Sequence, residues 1–408
     1  MGGRRLLYPP IIFCTVWAIN LLLIAVMGNA FYDLSLETLF IVCLGAVALS
    51  IGALCASVHS SSFPAPRPSS PQSVNKVMTV LGWCLLLISP FYFRWIVQMA
   101  AAADTSNLVQ GVRAALLYST DLAEIKGAVV NLAIFSLAVA IVSFLEMENH
   151  RKRFFICLSL AVLINLITGA RMGTIVLILS LLAIDWLKTQ RLRWKLVALL
   201  AIFSVFAFSL IALTLKKGAD NDASLGENAR SIARQIVAYT SGGIVAFDRT
   251  VQHRINTVHN QKITRSFIPV LNKLGAQLDE PLAYIDTNFV DTGPEYVTNV
   301  FSIFFSYMEW GLLCCLFLFA IIGFIVTFCF ERAMLGSRPA MSVYGFLFAG
   351  LVLSIFADFF FVAVGFAARI YLVAWCVYKL PGFVRRVKGL MKFGAVQEAL
   401  ARAGDSGS

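Results

Sequence analysis

Charge is scarce in this 408-residue chain: Asp, Glu, Lys and Arg together make up 13% of it, about half of what a soluble globular domain carries. Hydrophobic residues make up 59%, and the mean hydropathy is +0.81. A water-soluble fold would leave much of that apolar surface uncovered, so lipid is expected to be the solvent for most of the chain. Loop cysteines are missing. Cys14, Cys43, Cys55, Cys84, Cys157, Cys314, Cys315, Cys329 and Cys376 all lie inside apolar runs. That excludes metal-ligand spacing and argues against a disulfide framework, so neither a metal nor a cofactor is expected. No small-residue cleavage site follows the first apolar run, Ile11–Met27, which therefore reads as a retained helix and not a signal peptide. There is no internal repeat of roughly 20–50 residues, and no pair of broken helices of the kind that marks inverted-repeat transporters.

What is present is a series of apolar runs separated by short basic clusters. The net charge of +11 resides in those clusters, which is how orientation is encoded in membrane chains, and no nucleic-acid partner is expected. About 20 apolar residues cross a hydrocarbon core of roughly 30 Å. The candidate spans are 10–28, 36–57, 77–99, 127–147, 154–169, 171–187, 196–215, 301–329, 341–363 and 366–380. Read as one helix, 154–187 would be about 50 Å long and would carry one of its flanking basic clusters across the membrane. Two short spans turning at Thr168-Gly169-Ala170-Arg171 keep Arg151, Lys152 and Arg153 on the same side as Lys188, Arg191, Arg193 and Lys195. The hairpin gives about ten transmembrane helices with both termini cytoplasmic. Arg4, Arg5, Arg67, Lys76, Arg332, Arg338, Lys379, Arg385, Arg386, Lys388 and Lys392 then join those clusters inside, as the positive-inside rule prefers.

The expected architecture is an all-α polytopic membrane protein. It comprises an N-terminal bundle (1–215), a large helical periplasmic loop (216–300), C-terminal helices (301–380) and a cytoplasmic tail (381–408). Ser60–Gln72, with Pro64, Pro66, Pro68 and Pro71 among serines, reads as a linker.

A loop as long as 216–300 inside a membrane domain is seldom a mere connector. It carries Arg230, Arg234, Arg249 and Arg254 among its bases. Arg230 and Arg234 share a face if Ser231–Tyr239 is helical, with Ile232, Ile236 and Val237 resting on the membrane surface. Two readings fit that face: a cradle for a lipid diphosphate, since guanidinium forks bind phosphate bidentately, or a solvated amphipathic helix. Arg171 is the only charge between Arg153 and Asp185, and a charge in apolar surroundings is usually retained for a function; a snorkelling helix-end arginine is the alternative. Asp358 and Arg369 flank the last exterior turn and are expected to neutralise each other. His253 and His259 in the basic loop are each readable as a base or as plain surface histidines.

Three segments carry a resemblance. Thr168-Gly169-Ala170-Arg171-Met172-Gly173 before an apolar helix looks like the T-G-x-R-x turn of bacterial oligosaccharide repeat-unit polymerases, the O-antigen polymerase (Wzy-type) family. Tyr239-Thr-Ser-Gly242-Gly243-Ile-Val-Ala-Phe247-Asp248 is similar to the Y-x-x-G-G-x-x-x-F segment of that family. Asn299-Val-Phe-Ser-Ile-Phe-Phe-Ser-Tyr307-Met-Glu309-Trp-Gly311 resembles its pattern of Asn entering an aromatic stretch, then Tyr, an acid and Gly. Glu309 stands where Asp is the commoner residue. The segments occur in the order of that family and cover about residues 150–330.

The resemblance implies a GT-C-like scaffold in the bacterial inner membrane. It also implies an inverting, metal-independent glycosyl transfer at the periplasmic face. A glycan growing on undecaprenyl diphosphate would be the donor and a single undecaprenyl-diphosphate-linked oligosaccharide unit the acceptor. Membrane lipids, a chain-length regulator and a flippase would be the partners. Such chemistry needs cationic stabilisation of the leaving diphosphate and an acceptor for the proton of the attacking hydroxyl. Arg171 with one or more of Arg230, Arg234, Arg249 and Arg254 fits the first role. Glu309, Asp248 and His253 are all open for the second, and Tyr239, Asn299 and Tyr307 are further substrate-binding candidates. A ligase acting on lipid-linked glycan, or a flippase or transporter for one, are the alternative functions.

Overall fold

The structure, a computed structural model of the chain, describes residues 7–60, 71–101, 111–112, 114–115, 123–167, 171–191, 193, 195, 197–198, 202, 225–253, 268, 271–277, 289–294, 296–298, 302–361 and 364–382. Ten long helices run through them. They are α1 (Pro9–Met27), α2 (Leu36–Ser60), α3 (Pro71–Ala101), α4 (Ala123–Leu145), α5 (Arg151–Ile167), α6 (Arg171–Thr189), α7 (Leu225–His253), α8 (Phe305–Met334), α9 (Arg338–Val352) and α10 (Val364–Tyr378).

Among the described residues, seven helices are long and apolar enough to cross a membrane: α1, α2, α3, α4, α6, α8 and α9. The expected spans 154–169 and 366–380 appear as the shorter helices α5 and α10. Most of 196–215 lies outside the described residues. The surface of these helices is itself apolar: Leu22, Val26, Leu54 and Leu313 all point outward. An apolar skin of that extent is incompatible with water and suits lipid.

Because lipid tails are as apolar as leucine, the helices are held together by close fit more than by a hydrophobic driving force. The α2–α8 pair is the most extensive contact in the bundle. At Gly52 an added Cβ would run into the Ala320 carbonyl, and at Gly323 into the Leu49 carbonyl. Small residues on both helices let the two backbones touch. Between this pair and α1 lies an aromatic core. The Phe304 ring stacks on Phe319 at 4.8 Å and meets Trp17 edge-on at 5.1 Å, while Phe13 packs edge-on against Phe319 at 5.8 Å. The inner face of α1 (Phe13, Trp17, Asn20, Ile24) repeats every three or four residues, as a helix with one core-facing stripe requires.

The run 154–187 is two helices, α5 and α6, as the charge argument predicts; residues 168–170 between them lie outside the described set. A side chain at Gly173 would run into the Asn165 amide, so glycine permits the close return of α6 onto α5.

Polar contacts define the two ends of the bundle. At one end Arg338 pairs with Glu146, and the Tyr378 hydroxyl donates to the same carboxylate at 2.9 Å. Tyr344 donates to the Leu7 carbonyl. Lys188 lies 2.7 Å from Glu148, and its hydrogen bond and charge hold that carboxyl below the usual range. The start of α1, the ends of α4, α6 and α10 and the start of α9 therefore lie together, and the helices alternate in direction.

The structure departs from the sequence reading at three places. Residues 290–298 add a two-stranded hairpin to the helical bundle, β1 (Val290–Gly293) against β2 (Tyr296–Thr298), antiparallel. The expected span 341–363 is helical only to Val352, continuing into a 3-10 turn, Leu353–Ile355. And α8 is interrupted at Gly311 (φ 77°, ψ −177°). The turn that ends α9 lies against the segment leading into α8: Ser302 bridges Ala357, and the Ile303 amide donates to the Ser354 carbonyl at 2.9 Å. Neither breaks at a proline, which is why hydropathy runs straight through them. Asp358 is held in this turn by accepting the Phe360 and Phe361 amides at 2.7 and 3.0 Å.

Candidate functional site

At the opposite end from the Glu146 cluster, four separate stretches converge: the α1–α2 connection, the second half of α7, the β1–β2 hairpin and the start of α8. Ser35 begins the convergence. Its hydroxyl caps α2 by accepting the Thr38 amide at 3.2 Å, as N-cap serines do. The same hydroxyl donates to Asp248 of α7, and the Ser35 amide donates to that carboxylate at 3.1 Å. Asp248 is 3% exposed. A buried carboxylate at the amino end of α2 is favoured there by the helix dipole, so it ties α7 to α2.

The next residue, Arg249, lies over the Tyr32 ring at 4.6 Å, a cation–π contact that holds the guanidinium flat. Tyr32 is itself fixed by its amide, which donates to the Thr292 carbonyl of β1 at 2.9 Å, and Phe31 stacks on Tyr296 of β2 at 5.0 Å. Gly293 is required here because a Cβ would run into the Ala30 carbonyl.

From Ser241 to Asp248 every residue of α7 is buried. Gly242 faces β2, where a Cβ would stand 3.4 Å from the Thr298 methyl. Phe247 packs edge-on against Tyr307 at 5.6 Å and meets the Phe304 ring at a tilt, 5.8 Å away. Ala246, Val290 and Phe305 form a small apolar cluster beside them. The Tyr307 hydroxyl then reaches Glu37, in the first turn of α2, donating to Oε1 at 3.3 Å.

The structure thus brings Asp248, Arg249 and Tyr307 together and leaves other predicted residues apart. Glu309 is partly buried on the same short helical turn as Tyr307, but residues two apart on a helix do not share a face. Arg234 is exposed on the first half of α7, about 22 Å along the axis from Arg249 at roughly 1.5 Å per residue. Arg230 lies a further turn away on the same helix. A single diphosphate is far smaller than that separation, so Arg230 and Arg249 belong to different regions. Arg171 opens α6. That helix packs along α9, whose 3-10 continuation touches α7, so the start of α6 lies at the same end as Asp248. The side chains of Arg171, Arg230, Tyr239 and His253 lie outside the described residues, as do Arg254, His259 and Asn299 altogether. Among the described residues no three His, Cys, Asp or Glu side chains converge as a metal site would need.

Sequence reasoning missed Ser35, Glu37 and Tyr32. A serine directly before an apolar run with an acid in the following first turn is a legible cap signal. What it does not reveal is that residues more than two hundred positions downstream rest on that cap. Compared with family models, with characterised proteins and with solved structures, the chain finds no match.

Proposed function

We propose that this chain polymerises lipid-linked oligosaccharide repeat units at the periplasmic face of a bacterial inner membrane. The growing glycan passes from undecaprenyl diphosphate to a hydroxyl of a new lipid-linked unit. The observation that carries the reading is the contact between two of the three segments resembling the O-antigen polymerases. Phe247 of the Tyr239–Asp248 segment packs on Phe304 and Tyr307 of the Asn299–Gly311 segment, and partly exposed polar groups surround that junction. Seven long apolar helices, the short helices α5 and α10 and the run 196–215 together make the ten spans of the proposed GT-C-like topology.

In the proposed reaction, the acceptor hydroxyl attacks the anomeric carbon and its new C–O bond forms as the bond to the diphosphate breaks. The electron pair leaves with the diphosphate, where Arg171 and Arg249 stabilise the developing charge. The proton passes to the Glu37 carboxylate, which Tyr307 orients. Asp248, buried and engaged with Ser35, acts as a positioning residue.

The reading is tested by Arg171→Ala expressed in a strain lacking the native gene. Long surface glycan chains are expected to disappear while protein level and single-repeat glycan persist; normal chain lengths overturn the catalytic role of Arg171.

A further inference from the structure

The end of the bundle opposite the candidate site encloses a cavity of about 900 Å³, within the size range of small-molecule sites. It lies where α1 begins and α2, α6 and α8 end, and its wall includes Tyr8, Ile11, Leu54, Ser57, Gln190 and Glu331. The Tyr8 and Ser57 hydroxyls are 3.3 Å apart, and Ser57 faces the Glu331 carboxylate. Gln190, on the same wall, is fixed by donating to the Leu187 carbonyl at 3.0 Å.

The electrostatics select one sign. Among the described residues of the wall there is one carboxylate and no basic side chain. Three helices, ending at Ser60, Thr189 and Met334, direct their carboxyl-terminal partial negative charge toward the same space. The Glu331 carboxylate, with the Ser57 and Tyr8 hydroxyls beside it, suits a cation with several N–H donors. The rim sets the second property of the ligand. Ile11 is 47% and Leu54 63% exposed, on the outer surface of helices that cross the membrane, so the cavity opens toward the acyl chains and not only toward water.

We propose that this cavity binds a membrane lipid with a primary-ammonium headgroup, the ammonium on Glu331 and the Ser57 hydroxyl and an acyl chain along Ile11 and Leu54. A primary ammonium presents three donors, whereas a quaternary one of the same charge presents none. Neither the site nor its ligand depends on the glycan chemistry at the other end.

The test uses the purified full chain in detergent, supplied with dioleoyl phosphatidylethanolamine, phosphatidylcholine or phosphatidylglycerol, with lipid retention read by native mass spectrometry and stability by the thermal midpoint. Phosphatidylethanolamine is expected to be retained at least about ten-fold better than either other lipid, and to raise the midpoint most. In Glu331→Gln its retention should fall to the phosphatidylcholine level. Equal retention of the three lipids by the unaltered chain overturns the proposal, whether or not the variant folds. So does ethanolamine selectivity that survives Glu331→Gln, and soluble phosphoethanolamine that stabilises as well as the lipid removes the membrane as its source.

Discussion

Gly311 shows how one residue can organise a region. Its backbone (φ 77°, ψ −177°) lies in a region open essentially to glycine, and it divides α8 into a short amino-terminal turn carrying Tyr307 and a long membrane span. Nothing lies within 4 Å of where a Cβ would stand, so the demand is conformational and not steric. Gly311→Ala is expected to destabilise the protein by about 1–3 kcal/mol, measured as a lower thermal midpoint. Gly82→Ala on α3, where the nearest neighbour to an added Cβ is 3.9 Å away, should cause no such loss. The Glu37–Tyr307 contact makes a different prediction. Both side chains are partly solvent-facing, so Glu37→Gln and Tyr307→Phe should leave the thermal midpoint nearly unchanged. Each should slow glycan elongation by about 10²-fold, and the double variant should be no worse than Glu37→Gln alone. Additive losses would mean that the two residues do not act on one proton.

At the scale of elements, α7 carries most of what was hidden. In the sequence its arginines look like one basic loop. In the structure they are spread along one 29-residue helix, whose first half exposes Arg234 while its second half is buried against α1, α2 and the hairpin. Groups about 22 Å apart on one axis act independently, so Arg234→Ala and Arg249→Ala should have multiplying effects on elongation rate, the double variant equalling the product of the singles. A double variant no slower than the worse single would contradict that separation. Arg249 should be the more sensitive of the two, because Tyr32 fixes its guanidinium. The α5–α6 hairpin is the opposite case. Its division was legible because basic clusters at both ends of 154–187 forbid one long helix, a constraint written in the charges themselves. The stop at Val352 was not legible, because backbone contacts between Ser302 and Ala357 and between Ile303 and Ser354 satisfy groups that further helix would have used; the break at Gly311 was not legible because an apolar run continues on both sides of that glycine.

At the scale of the molecule, composition carried the broad class: a chain with this little charge and this much apolar surface forms a membrane bundle. Alternation of basic clusters gave the helix directions, and the ends marked by Glu146–Arg338 and by Ser35–Asp248 agree with it. The site was legible only in part. Asp248 and Tyr307 stood out from the sequence and both reach the amino end of α2, but the partners that hold them there, Ser35 and Glu37, sit at a helix start whose importance arises from long-range packing. The division of the molecule into a polar junction at one end and an acidic lipid-facing cavity at the other has no sequence signature at all.

The proposed polymerase extends glycans already delivered to the outer face. The direct measurement is the length distribution of surface glycan, detected by labelling intact cells, in a strain from which the gene has been deleted and in the same strain complemented. Polymerisation predicts single repeat units at the outer surface without long chains in the deletion strain, and long chains restored by the complementing copy. Loss of the single units from the outer surface, or long chains that persist without the gene, would contradict it.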